Sequence, residues 1–331
     1  MSTASTHGLA TRRLGRTALD VTVIGFGGAA PGNFGQARSD EEAAADLAAA
    51  WDRGIRYFDT APHYGLGLSE RRVGAALRDR PRAEFVLSTK VGRLLEPNPA
   101  PAGSDLADGG FAVPDDRRRV RDYSADGVRR SLEASLDRLG IGRIDIALVH
   151  DPDDHVDQAV REAIPALTAL RDQGVIGAVG IGMNQWQAPL RAVDETDVDV
   201  VMIAGRWTLA DRTAQPLLDR CAERGVAVLA AAPFNSGLLA RPYPAAGVTF
   251  NYEPAPPPML QRARALAGVC AAAGISLPHA ALQFPLRHPA VAAVVAGLST
   301  SPQIDAAVEQ ARVPIDAEVW ARLDAVVEGE R

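Results

Sequence analysis

Eight short β-like runs alternate along this chain with longer amphipathic runs, and that alternation constrains the fold more than any other feature. The runs span 21–26, 56–59, 84–90, 144–150, 175–181, 198–203, 226–231 and 291–296. Each but the seventh is followed by a stretch with helical periodicity: 40–53, 69–80, 125–139, 156–173, 187–193, 213–224 and 301–310. Further helix-rich sequence fills 258–273 and 277–286. Local punctuation agrees. Ser39 with Glu42 three residues on reads as a capping box, Ser124 as an N-cap, and Gly54 and Gly140 as helix stops. Repeated βα units imply a parallel sheet. Eight of them in about 300 residues imply a closed (β/α)8 TIM barrel rather than an open sheet. Residues 12–19 stand outside the rhythm and read as an N-terminal β-hairpin turned at Gly15-Arg16, placed to plug the N-terminal mouth. The expectation is one barrel domain over 1–331, with 1–10 as a tail.

Two segments break the pattern. Residues 94–122 are rich in Pro, Gly, Asp and Arg, and 233–258 in Pro, Gly, Asn and Tyr. Both follow strands, which places them on the C-terminal face, where barrels build their sites. The competing reading is disordered surface insertion.

The formal net charge is −6, which argues against a nucleic-acid partner. No run approaches the apolar length of a membrane span, and no secretion signal is legible, so a soluble, cytoplasmic protein is expected. Cys221 and Cys270 lack metal-ligand spacing and read as reduced core residues; no metal is expected.

Three strands end in ionisable residues. The second ends in Asp59, the third in Lys90 and the fourth in His150, with Tyr64 five residues after Asp59. Singly, each is a cap, a solvated charge or a turn former. Together, at one end of a barrel, they suggest acid/base chemistry. A phenol with pKa near 10 exchanges its proton poorly at neutral pH. A lysine beside it favours the phenolate, a carboxylate keeps that lysine charged and placed, and a histidine orients the substrate oxygen. The set moves a proton on or off an alcohol oxygen but accepts no electrons, so a redox reaction needs a cofactor.

The motif Gly54-x-Arg56-x-x-Asp59-Thr60-Ala61, then Tyr64-Gly65, then Ser69-Glu70-x-x-Val73-Gly74, resembles the signature of the aldo-keto reductase family, and the resemblance runs from Leu14-Gly15 to about Gln310. It implies a TIM barrel using NAD(H) or NADP(H), with Tyr64 as general acid/base and Asp59, Lys90 and His150 completing a tetrad. It also implies a cofactor site. Gly27, Gly28 and Asp59 would lie near the nicotinamide, and Asn184 at its carboxamide. The loop of Ser236, Gly237 and Leu238 would cover the pyrophosphate, and Gly297, Ser299 and Gln303 would meet the adenosine side. Gly297 and Gln303 stand where basic residues would grip a 2′-phosphate, so NAD is expected, with NADP possible. Ala231 and Ala204 replace an aromatic and a glutamine that relatives aim at the ring, which Trp207 or Phe234 could make good.

The segments 180–186, 204–209 and 233–237 resemble the branch of aldose 1-dehydrogenases, with pyridoxal and L-galactose dehydrogenases in similar branches. The implied reaction is oxidation of a sugar at C1 to its lactone. His63, Arg206, Trp207 and Asn235 are the candidate substrate residues. Core packing competes for Trp207 and a surface charge for Arg206. The rival functions are pyridoxal oxidation, L-galactose oxidation, general aldehyde or ketone reduction, and a non-catalytic cofactor-binding subunit. The expected partner is a small sugar or aldehyde; oligomeric state is not legible.

Overall fold

The computed structural model describes residues 8–329. A hairpin of β1 (Thr11–Arg13) and β2 (Asp20–Thr22) leads into β3 (Ile24–Gly27), α1 (Asp40–Asp52), β4 (Tyr57–Asp59), α2 (Leu68–Leu77) and β5 (Val86–Val91). A second hairpin, β6 (Arg93–Pro97) and β7 (Arg117–Arg121), precedes α3 (Ala125–Leu139), β8 (Ile146–His150), α4 (Val156–Gln158) and α5 (Ile164–Asp172). Then come β9 (Ala178–Met183), α6 (Gln187–Glu195), β10 (Val200–Ala204), α7 (Gln215–Arg224) and β11 (Ala227–Ala231). A third hairpin, β12 (Thr249–Phe250) and β13 (Glu253–Pro254), precedes α8 (Pro257–Ala272), α9 (Leu277–Gln283), β14 (Val291–Ala296), α10 (Ser301–Arg312) and α11 (Ala317–Glu328).

Strands β3, β4, β5, β8, β9, β10, β11 and β14 pair in that order and close on β3, forming an eight-stranded barrel. Every pair in it is parallel. Side chains alternate between two packed regions, as the two-residue period of a strand requires. Tyr57, Val86, Ile146, Leu148, Val200 and Leu229 fill the barrel, while Phe58, Leu87, Val149, Ile181 and Val228 pack outward in the cluster shared with the helices.

The N-terminal hairpin does plug the barrel. Leu14 is fully buried in the interior cluster with Val21 and Tyr57. Arg12 Nη1 ties the hairpin down by donating to the carbonyls of Leu286 and Val291. Leu9 and Ala10, read as tail, are part of the packed structure. Leu9 is buried, and the Ala10 carbonyl accepts from the Val23 amide at 2.9 Å. Residues 1–7 lie outside the described residues.

The capping box at Ser39 and Glu42 and the left-handed stop at Gly140 form as read. The expected continuous helix over 156–173 is interrupted by a π-helical turn at Ala159–Ala163, just before Pro165. Proline lacks the amide that an uninterrupted helix would use there, and the widened turn absorbs the loss. Residues 94–122 are irregular only in part: Arg93–Pro97 and Arg117–Arg121 pair as the β6–β7 hairpin, from Arg93↔Arg121 to Pro97↔Arg117, with turns and bends across 98–116 between them. Residues 249–254 form the small third hairpin.

Candidate active site

Barrel stagger brings the ionisable strand ends together. Asp59 pairs in register with Ser88, two residues before Lys90, and Lys90 pairs with Leu148, two residues before His150. Each step is two residues, so the three side chains stay on the same face of the sheet while climbing toward the C-terminal rim.

Lys90 and Asp59 are each only 2% exposed. Lys90 Nζ donates to Asp59 Oδ2 at 2.6 Å and to the Thr60 carbonyl at 3.0 Å. The other oxygen, Asp59 Oδ1, accepts from Ser88 Oγ at 2.7 Å. Tyr57 OH lies 3.0 Å from the same serine oxygen. This buried pair is hydrogen-bonded throughout, the condition under which an ion pair tolerates loss of water.

Tyr64 stands above it, its ring centroid 4.5 Å from Lys90 Nζ and 6.0 Å from the perpendicular His150 ring. The turn that presents it depends on two glycines. Gly65 has φ +62°, and a Cβ there would meet the Gly32 carbonyl oxygen at 2.2 Å. No larger residue fits that approach. Phe111, from the β6–β7 hairpin, packs against Tyr64 at 6.0 Å and edge-on to His63 at 5.3 Å. The hairpin is fixed by Arg119, which holds both carboxylate oxygens of Asp105 at 2.6 Å and donates to the His63 carbonyl at 3.0 Å.

Burial dominates the proton equilibria. It pushes the Tyr64 phenol up to about 12, with Lys90 pulling against it. The lysine therefore does not carry the phenol below its ordinary range, contrary to the reading from residue types alone: Tyr64 is a neutral donor at neutral pH. Burial is the largest influence on Lys90 too and opposes its charge, but Asp59 and Tyr64 together outweigh it and the ammonium is held above its usual range. His150 is driven well below its usual range by burial, then by Arg93 and Lys90. His63 falls to about 2, again by burial first and then Arg93 and Arg119. Both imidazoles are neutral, and the Nδ1 atom of each is buried without a hydrogen-bond partner.

These histidines set a pH dependence of stability. Below pH 6.5 the unfolded chain binds protons that the folded chain refuses, so stability falls as pH falls, down to about pH 2 for His63. Each neutral histidine accounts for up to about 1.4 kcal/mol per pH unit. Between pH 6.5 and 4.5 the wild type is expected to lose roughly 2 kcal/mol more than His63→Phe, as read from urea unfolding midpoints. Equal losses in the two proteins would contradict a neutral His63.

Two adjoining cavities of about 430 and 370 Å³ open at this rim and share Tyr64, Phe34, Tyr252, Met202, Ala204 and Ala231. The first contains His63, Lys90, His150, Asp151 and Asn184. The second is a groove along Gly27, Gly28, Asp59, Phe234, Ser236, Gly237 and Gly297. A 500 Å³ cleft under the opposite mouth, lined by Arg56, Arg82, Arg143 and Asp145, contains none of the tetrad. Gly297 leaves open space where a Cβ would sit, and the groove wall contains left-handed Ala232 and Ser236, a concave backbone of the kind that receives anions. Half-buried Ser299 and exposed Gln303 lie at the start of α10, where Gln303 Oε1 accepts from the Ser299 amide and hydroxyl.

Several sequence candidates lie elsewhere. Left-handed Gly205 turns the chain after β10, and Trp207 swings outward to stack on Phe284 at 5.2 Å and donate to the Pro285 carbonyl. It is core, not pocket lining. Asn235 is 1% exposed and spent on scaffolding, accepting from Thr208 and donating to the Gly205 carbonyl. Arg206 donates to Asn251 Oδ1 at 2.7 Å, holding the β12–β13 hairpin. Leu238 is fully buried behind the groove. Of the four substrate candidates, only His63 lines the cavity. Unforeseen lining residues are Phe34, Phe111, Tyr252 and Asp151.

The family model for the aldo/keto reductase family matches residues 23–328. The chain belongs to the aldo-keto reductase family. It is 47% identical to D-threo-aldose 1-dehydrogenase of Pseudomonas sp, over 92% of this chain and 94% of that one. It is 39% identical to pyridoxal 4-dehydrogenase of Microbacterium luteolum, over 94% of this chain and 96% of the other. The holo form of an aldo-keto reductase from Bacillus halodurans superposes with a TM-score of 0.77 at 28% identity, covering 96% of both chains. This aldo-keto reductase is thus an NAD(P)-dependent oxidoreductase, and its fold is the TIM barrel of the family.

Proposed function

We propose that this aldo-keto reductase oxidises the C1 hydroxyl of a neutral aldose of the D-threo type to the lactone. The observation that carries the substrate class is charge pairing at the cavity. Lys90 is the cation among the described lining residues, and Asp59 neutralises it. Arg93 and Arg119, next to the lining, are matched by Asp151 and Asp105. Among the described residues that line the cavity, no lysine or arginine is left without an acidic partner to receive a phosphate or carboxylate. Neutral hydroxyls are instead offered His63, His150, Asp151 and Asn184, the convergent polar groups a sugar site needs. The 47% identity to D-threo-aldose 1-dehydrogenase points the same way.

In this reading Tyr64 first loses its own proton to solvent, Lys90 lowering the cost of that phenolate, and the phenolate then takes the C1 hydroxyl proton and returns to the neutral phenol. Asp59 keeps Lys90 charged and placed. His150, neutral, hydrogen-bonds the reacting oxygen without competing for its proton. A nicotinamide nucleotide, when bound, supplies the hydride acceptor. Gly27, Gly28, Ser236, Gly237 and Gly297 would hold it in the groove, Asn184 would meet its carboxamide, and Ser299 and Gln303 its adenosine side at the α10 N-terminus. Residues 297–303 contain no lysine or arginine, so NAD is the preferred form.

A panel of aldoses with NAD and NADP tests this reading. NAD is expected to give the higher kcat/KM with a D-threo aldose, and Gln303→Arg to shift the ratio toward NADP. Absence of saturable turnover with every aldose would overturn the substrate assignment. A second reading, oxidation of pyridoxal, is favoured by the aromatic edge of the cavity, where Phe34 meets Phe111 at 5.4 Å and Tyr252 at 5.9 Å. Higher kcat/KM for pyridoxal than for any aldose would establish it instead.

A further inference from the structure

Asp151 is a polar group at the cavity that the tetrad leaves without a role. It follows His150 directly at the end of β8 and has φ +38°, a left-handed conformation uncommon for a residue with a side chain. Its backbone is held on both sides: the amide donates to the Gly182 carbonyl at 3.0 Å, and its own carbonyl accepts from Tyr123 OH at 2.8 Å. Asp151 Oδ2 accepts from Arg93 at 2.7 Å and lies 3.5 Å from His150 Nε2. Oδ1 has no hydrogen-bond partner among the described residues, and the side chain keeps 21% of its surface exposed, on the cavity wall. His63, its Nδ1 also unpartnered, faces His150 at 5.6 Å.

A carboxylate with one oxygen neutralised and the other open to a cavity is an acceptor for a hydroxyl. Its backbone is clamped, so little conformational freedom is lost on binding. Its place, 3.5 Å from the histidine that would meet the reacting oxygen, suits a hydroxyl on the neighbouring carbon. We infer that Asp151 Oδ1 accepts a hydrogen bond from the hydroxyl on the carbon next to the reacting carbon, making Asp151 the residue that selects 2-hydroxy substrates. This rests on the proposed aldose reading and adds a contact to it. A site built to accept from a hydroxyl discriminates strongly against an analogue that lacks it, because the charged oxygen is then left unpaired.

The test compares the wild type with Asp151→Asn and Asp151→Gly, both residues that adopt positive φ readily. Substrates are an aldose and its 2-deoxy analogue with NAD, and glycolaldehyde and acetaldehyde in the reducing direction. The wild type is expected to favour the 2-hydroxy member of each pair by about 10- to 100-fold in kcat/KM. In both variants that ratio should fall toward one, mostly by loss on the 2-hydroxy member. Equal slowing of both members would show that Asp151 only positions Arg93 and His150, and would overturn the inference. So would a wild type that does not discriminate. If no aldose is oxidised but the glycolaldehyde preference is present and lost in the variants, the aldose reading fails while the Asp151 contact stands. If the wild type turns over neither pair, both fall.

Discussion

Replacing Tyr64 with Phe is expected to lower kcat for aldose oxidation by about 10² to 10⁴, the usual contribution of a positioned acid or base. The change removes one hydroxyl and leaves the ring contacts to Phe111, His63 and His150 available. Neither the fold nor the groove loses a packing partner, so the thermal midpoint and nucleotide affinity should stay close to wild type. In the structure the phenol is held up near 12 by burial, with the Lys90 ammonium opposing. Oxidation therefore requires Tyr64 to give up a proton that its surroundings favour keeping. Its rate should rise with pH through the alkaline range, while carbonyl reduction, which uses the protonated phenol, should be flat through neutrality. The tyrosine-free variant should lose the alkaline rise. Steady-state rates across pH in both directions check this, and an undiminished Tyr64→Phe rate would contradict the assigned mechanism.

The largest expected effect on stability comes from Lys90→Met. Both members of the Lys90–Asp59 pair are buried, and removing the ammonium leaves a carboxylate with only Ser88 as side-chain partner. An uncompensated buried charge of this kind costs about 3–5 kcal/mol. The double variant Asp59→Asn/Lys90→Met should recover most of that loss, because a neutral amide and a thioether no longer oppose burial. It should not recover activity, since the charge that eases phenolate formation is gone. Urea unfolding of the single and double variants measures the coupling. Additive losses would mean that the two side chains do not act as a pair in the folded protein.

The barrel was legible because parallel strands buried on both faces read as apolar runs, and because Ser39, Ser124, Gly54 and Gly140 mark helix ends with local chemistry. Asp59, Lys90 and His150 were legible for a related reason: a strand ending in an ionisable residue is conspicuous. The β6–β7 hairpin was not. Its second strand reads Arg-Arg-Arg-Val-Arg, and arginines reaching out to Glu96 and Asp105 hide the alternation that would reveal a strand. Helix α11 was also missed, following a Pro-containing break after α10 with few fully buried residues to mark its face. Trp207, Arg206 and Asn235 were misread because sequence gives proximity to a rim but not direction. One left-handed glycine, Gly205, sends Trp207 into the outer core. Asp151 and Phe111 reach the cavity through a left-handed turn and a long hairpin, and nothing local in the sequence announces either.

The most direct test of the account follows the hydride. An aldose deuterated at C1 is incubated with NAD and the protein, and the reduced nucleotide and sugar product are examined by mass spectrometry. Deuterium on the reduced nicotinamide and a lactone product are expected, both forming about 10² to 10⁴ times more slowly in Tyr64→Phe. Reduced nicotinamide without deuterium would contradict this mechanism, as would deuterium transfer that persists at wild-type rate without the Tyr64 hydroxyl.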